Sequence, residues 1–153
     1  MNLSCALTGH RDLPADFDFE KLENAIVGLM EEGVKNFYCG LARGFDLYAG
    51  AYVIKHKKKY GAKLIGCIPC PAQDKFFSFG DKSRYECVLS GCDEKICLSD
   101  NYYAGCMQAR DRYMVDESDT VLCYLDRRSG GTWYTVNYAV RSGRRVLNLN
   151  GKE

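Results

Sequence analysis

The sequence has no excess of charge of either sign: 21 Lys and Arg stand against 20 Asp and Glu. That balance removes the global basic field that favours a nucleic-acid partner, while leaving room for a local basic groove. No run approaches the ~18 apolar residues of a membrane span, so no membrane association is expected. Met1-Asn2-Leu3-Ser4-Cys5 is not a basic segment leading into an apolar one, and a cytoplasmic protein is expected. Low-complexity tracts, internal repeats and linker-like stretches are also missing, which leads us to expect one domain over residues 1–153. A chain of this length buries roughly two-thirds of its unfolded surface and needs no staple.

Cysteine, by contrast, is plentiful. The nine cysteines are odd in number and follow no secretory segment, so a disulfide framework is not expected. Cys5, Cys39, Cys67, Cys97 and Cys123 lie in apolar runs, where a thiol acts as a small buried hydrophobe. Cys67 and Cys70 stand at metal-ligand spacing, but Cys87, Cys92 and Cys97 are five apart rather than paired, so no metal site is expected.

One unit recurs along the chain: apolar strand, loop, amphipathic helix, glycine. Strands are expected at Leu3–Leu7, Phe37–Cys39, Leu64–Ile68, Ile96–Leu98, Val121–Leu125 and Val146–Leu147. Leu22, Ala25, Ile26, Leu29 and Met30 recur at helical spacing, as do Phe45, Ala49, Tyr52, Val53 and His56. Further helices are expected before Gly91, over Ala104–Asp116, and from Gly130 to Gly143. Alternation of this kind predicts an α/β fold, a Rossmann-like three-layer domain with a mainly parallel sheet of about six strands. In such sheets ligands sit beyond the carboxyl ends of the strands, so the loops that follow strands are where function is sought.

Four segments there carry chemistry. Thr8-Gly9-His10-Arg11 offers a hydroxyl, a close backbone approach and a guanidinium fork suited to phosphate or carboxylate, or else is a plain turn with His10 holding one hydrogen bond. Gly40-Leu41-Ala42-Arg43-Gly44-Phe45-Asp46 places the small residues Gly40, Ala42 and Gly44 at a helix N-terminus that favours an anion. It lacks the lysine and hydroxyl residue of a Walker A loop. Asp46 serves either the helix dipole or a ribose hydroxyl. Gly130-Gly131-Thr132 forms an expected anion nest at the last helix, in which Gly131 should need a conformation or an approach that a side chain would block. Arg110 shares a face with Met114, so it is either core-directed and paired with Asp111, Asp46 or a bound phosphate, or part of a surface ion pair.

Together these residues resemble the SLOG superfamily, the Rossmann-like group containing DprA (Smf), the LOG phosphoribohydrolases and the YpsA-like family. Thr8-Gly9-His10-Arg11 looks like the opening loop of YpsA-like members. The Gly40–Ala49 segment is similar to the DprA pattern Gly-x-Ala-x-Gly-Ile-Asp-x-x-Ala. Arg110-Asp111-x-x-Met114-Val115-Asp116 is similar to Arg-Asn-x-x-Met-Val-Asp, with aspartate for asparagine. The resemblance implies a pocket for a nucleotide or nucleotide-derived ligand at Thr8, Gly9, His10, Arg11, Gly40, Ala42, Gly44, Asp46, Arg110, Gly130, Gly131 and Thr132, with no cofactor assigned. LOG enzymes carry Pro-Gly-Gly-x-Gly-Thr-x-x-Glu, whereas here Thr135 stands in the place of the acid, so hydrolysis by their mechanism is not expected. The alternatives are an N-glycosidase acting on nucleoside monophosphates with an acid such as Asp46 or Asp111, and DprA-like single-stranded DNA binding, which the charge balance disfavours. A homodimer is expected from the habit of this fold.

Overall fold

A computed structural model describes residues 3–151. Six strands alternate with five helices: β1 (Leu3–Gly9), α1 (Phe19–Glu32), β2 (Val34–Cys39), α2 (Phe45–Tyr60), β3 (Lys63–Ile68), α3 (Phe79–Ser90), β4 (Glu94–Cys97), α4 (Cys106–Asp116), β5 (Thr120–Tyr124), α5 (Gly130–Arg141) and β6 (Arg145–Asn148). All the strands pair in parallel, in the order β4-β3-β2-β1-β5-β6. This is the Rossmann-like α/β fold that the alternation predicts.

Strand periodicity divides the core into two layers. Cys5, Leu7, Phe37, Cys39, Leu64 and Leu122 point to one face, where Leu22, Ile26 and Leu29 of α1, Val53 of α2 and Val88 of α3 cover them. Ala6, Tyr38, Ile65, Cys67, Val121 and Cys123 point to the other, under Met114 and Val115 of α4 and Val136 and Ala139 of α5. Helices on both faces explain why the strands read as continuous apolar runs.

The strand at Ile96–Leu98 begins two residues earlier than its apolar pattern suggests. β4 is an edge strand whose Glu94 and Lys95 face solvent, so its polar half carries no hydrophobic signal. For the same reason Cys97 is exposed rather than buried, in contrast to Cys5, Cys39, Cys67 and Cys123, and all nine cysteines are free thiols. α4 begins at Cys106, because Gly105 with φ +93° stands outside the helix. Among the described residues no helix is long and apolar enough to cross a membrane.

The topology also sets the place of a crevice. From β1 the chain steps outward to β4, then returns through α4 to the other side of β1. The loops after β1 and β5 therefore diverge and leave a gap at their carboxyl ends.

Candidate functional site

A cavity of about 340 Å3 occupies that gap. The loop after β1 contributes Thr8, Gly9, His10 and Arg11; the segment after β2 contributes Ala42 and Asp46; α4 contributes Arg110; and the start of α5 contributes Gly130, Gly131 and Thr132. Gly40 and Gly44 do not line it. Their part is to let other groups reach it. A Cβ on Gly40 would stand 2.7 Å from Arg110 Nη1, and one on Gly44, whose φ is +84°, would fall on the Arg11 carbonyl. The loops after β1 and β2 are thus held back to back, an arrangement tightened by the hydrogen bond from Phe45 N to the His10 carbonyl at 3.2 Å.

Arg110 is core-directed and only 5% exposed, which rules out the surface ion pair. Its Nε donates to Asp111 Oδ1 at 2.7 Å, and its Nη1 to the carbonyls of Gly40 at 2.6 Å and Cys67 at 3.4 Å. Asp111 is therefore its direct partner, while Asp46 acts on it through the electrostatic field alone. Nη2 has only the Met107 thioether at 3.9 Å, a weak acceptor, among the described residues.

Asp46 is buried in the first turn of α2 and accepts from Ala42 N at 3.3 Å. Burial pushes its carboxyl up to about 7, against the pull of Arg110 and with a further push from Asp111. Near neutral pH the group therefore divides between a neutral donor and an anion. His10 lies on the other side of the cavity, where its Nε2 accepts from Asp126 N at 3.1 Å. Burial and the neighbouring Arg127 hold the imidazole below its ordinary range, outweighing Asp126 Oδ1 at 3.0 Å. We read His10 as neutral, with its proton on Nδ1, pinning the β1 loop to the β5 loop.

The helix N-termini differ in how they are closed. Asp18 accepts from Lys21 N at α1, and Ser78 from Asp81 N at α3. The first turns of α2 and α5, which meet the cavity, have no side-chain cap bond. α4 likewise has none, and at α2 the leading Phe45 N–H is taken by the His10 carbonyl, which leaves the start of α5 as the cavity-lining helix end with first-turn N–H groups that have no intrahelical partner. In the α5 loop the left-handed residue is Gly130, with φ +89°, and not Gly131, where an added Cβ would meet open space. The expectation of a conformational demand at Gly131 is thus corrected: the positive φ falls on Gly130, the first residue of the helix, and Gly131 already has helical geometry. Thr135 lies one turn on, where its hydroxyl donates to the Gly131 carbonyl at 2.8 Å.

Sequence reasoning did not place Asp12, Met107, Arg127 and Ser129 in the site, although all line the cavity. The signal for two of them is proximity in sequence, since Ser129 stands directly before the Gly-Gly pair and Arg127 two residues further back.

The chain is similar to known proteins in sequence and in fold. The chain is 29% identical over 140 residues to the SPbeta prophage-derived protein YoqJ of Bacillus subtilis, covering 80% of this chain and 82% of that one. Among solved structures it superposes on DprA of Helicobacter pylori, in a study of its single-stranded DNA binding, with a TM-score of 0.70 and 19% identity, covering 95% of this chain. It spans 64% of that DprA chain and 50% of the one from Streptococcus pneumoniae. The molybdenum cofactor binding protein of Rippkaea orientalis superposes with a TM-score of 0.64 and 17% identity, over 97% of this chain and 76% of that one. At these identities the superpositions speak for the fold. The YpsA family model, described as the YspA SLOG family, matches residues 17–146, most of the chain, and the protein therefore belongs to the YpsA SLOG family.

Proposed function

We propose that the cavity between the β1 and β5 loops binds a nucleotide or nucleotide-derived molecule, with its phosphate at the N-terminus of α5. One observation carries this reading: hydrogen-bonding capacity is gathered there and left unused. The side chains of Thr8 and Thr132 are buried in the lining, at 8% and 6% exposure, yet neither hydroxyl makes a hydrogen bond among the described residues. Neither hydroxyl is sealed from solvent, since among the described residues the buried side-chain atom without a partner is Gln73 Oε1, so both are free to face a ligand in the cavity, and a phosphate would accept from Thr132 and the leading amides of α5. Arg11 at the rim forms no ion pair among the described residues and supplies charge. Asp46 and Asp111 supply acceptors of the kind that ribose hydroxyls need.

The solved neighbours are described as binding single-stranded DNA and the molybdenum cofactor. A small ligand agrees better with a cavity of about 340 Å3 and with the balanced charge of this chain than does a long polyanion. A second reading, cleavage of the N-glycosidic bond of a nucleoside monophosphate, is favoured by Asp46 alone, whose carboxyl at about 7 is suited to giving a proton to a leaving base.

Calorimetric titration with AMP, ADP-ribose, NAD and a cyclic nucleotide tests the first reading: at least one of the panel binds with a Kd below millimolar, and failure of all four refutes it. Overnight incubation with nucleoside monophosphates, followed by detection of free base, tests the second.

A further inference from the structure

Beside the main cavity lies another of about 290 Å3, which shares Arg11, Ala42, Met107 and Arg110 with it. Its remaining wall comes from Arg43 and from the segment after β3, through Gln73, Phe76 and Phe77. Several features of this wall have no evident part in holding the fold. Phe76 is 90% exposed, whereas Phe77 beside it packs edge-on to Tyr85 at 5.7 Å and joins the core. Gln73 donates from Nε2 to the Gly40 carbonyl at 3.0 Å, which fixes its amide, yet its Oε1 is buried with no hydrogen-bond partner among the described residues. Leu41 and Ala72 have φ of +58° and +61°, a left-handed conformation that residues with a Cβ avoid. Leu41 follows Gly40 and Ala72 precedes Gln73, so one strained residue flanks each end of the Gln73–Gly40 hydrogen bond. Strain concentrated on the two segments that build one cavity is a feature of ligand clamps.

We infer that this second cavity is the base subsite of the ligand proposed above, holding a flat heteroaromatic ring against Phe76 and Met107, with an N–H on the ring edge directed to Gln73 Oε1. The inference rests on the nucleotide reading of the main cavity and extends it to the class of ligand: a nucleotide with its base in place, not a sugar phosphate or a free phosphate. Each cavity is near the small end of ligand pockets, which suits one half of a nucleotide apiece. The shared wall at Arg110 and Met107 is where sugar meets base. Stacking on an exposed ring tolerates any base, and all the common bases offer an N–H along an edge. Arg43, which also lines this wall, donates to the exposed Asp12 at 3.0 Å.

Calorimetric titrations with AMP and with ribose 5-phosphate, on the wild type and on Phe76→Ala, test this. AMP should bind at least about ten-fold more tightly than ribose 5-phosphate, and Phe76→Ala should weaken AMP by about ten-fold while leaving ribose 5-phosphate unchanged. An exposed ring can be removed without unfolding the chain, and Gln73→Ala provides an independent variant with the same expected pattern. Equal affinity for the two probes, unaltered by either substitution, overturns the base subsite and leaves the phosphate site standing. Binding of neither probe below millimolar concentration overturns both.

Discussion

Arg110 Nη1 donates to the Gly40 carbonyl at 2.6 Å, tying the middle of α4 to the end of β2 across the floor of the cavity. The glycine is what makes the contact possible, since any Cβ there would meet the guanidinium. Arg110→Ala leaves Asp111 without its counter-charge and the Gly40 carbonyl without this donor. We expect a loss of about 3 kcal/mol in urea denaturation. Gly40→Ala should give a loss of similar sign by displacing the same guanidinium.

Gly44 and Gly131 should respond oppositely to alanine. At Gly44 the positive φ and the Arg11 carbonyl both exclude a Cβ, so Gly44→Ala should cost more than about 2 kcal/mol. Gly131 has helical geometry and open space, so Gly131→Ala should be neutral or stabilising by up to about 1 kcal/mol. Thermal unfolding of the two variants side by side checks the contrast.

Asp46 sets a pH dependence whose sign follows from its environment. Its folded carboxyl titrates near 7, above its ordinary value of 3.8, so the folded state holds the proton more tightly than the unfolded chain. The corresponding stability is fully present below about pH 4 and is lost as pH rises to 7 and beyond, by an amount on the order of a few kcal/mol. Asp46→Asn should remove this slope. Binding should change as well. Above pH 7 a phosphate monoester is already dianionic and His10 is neutral, so the growing charge on Asp46 should weaken binding by about three- to ten-fold between pH 7 and 8.5. Calorimetry at both pH values should show this for the wild type and a flat response for Asp46→Asn.

Thr132→Ala removes one hydroxyl from the cavity and nothing from the core. A hydrogen bond to a charged group is worth about 1.5–3 kcal/mol, so affinity for a phosphorylated ligand should fall by roughly ten- to a hundred-fold. Trp133→Phe is the control, because that ring lies instead in an apolar groove between α1 and α5.

Much of this was legible before the structure, for a physical reason. Strands buried on two faces and helices buried on one leave distinct apolar periods, so β1, β2, β3 and β5 and the helices α1 and α2 could be placed from their side chains. The edge strand β4 was misplaced because half of it is polar. Of the expected residues that line the cavity, all but Arg110 lie at or after the ends of strands, at Thr8–Arg11, at Ala42 and Asp46, and at Gly130–Thr132. The site was not legible where main chain does the work. Arg110 was singled out, but the Gly40 and Cys67 carbonyls that hold it have no side-chain signature. Gln73 and Phe76 lie in a segment with neither strand nor helix period, and only tertiary structure brings them beside Gly40. Gly-Gly alone does not tell which of the two glycines takes the positive φ, and it is Gly130 and not Gly131 that does so.

A phosphate at the N-terminus of α5 would be displaced by a carboxylate placed there, as in Gly131→Asp. The open space at Gly131 admits the side chain without disturbing the fold, while its carboxylate brings negative charge to the place where phosphate should sit. Calorimetric titration of the wild type and of Gly131→Asp with AMP, after circular dichroism has shown both to be folded, is the decisive measurement. We predict sub-millimolar binding by the wild type and none detectable for the variant; unchanged affinity in a folded Gly131→Asp protein would contradict the account and turn the search toward the Thr8–Arg11 loop.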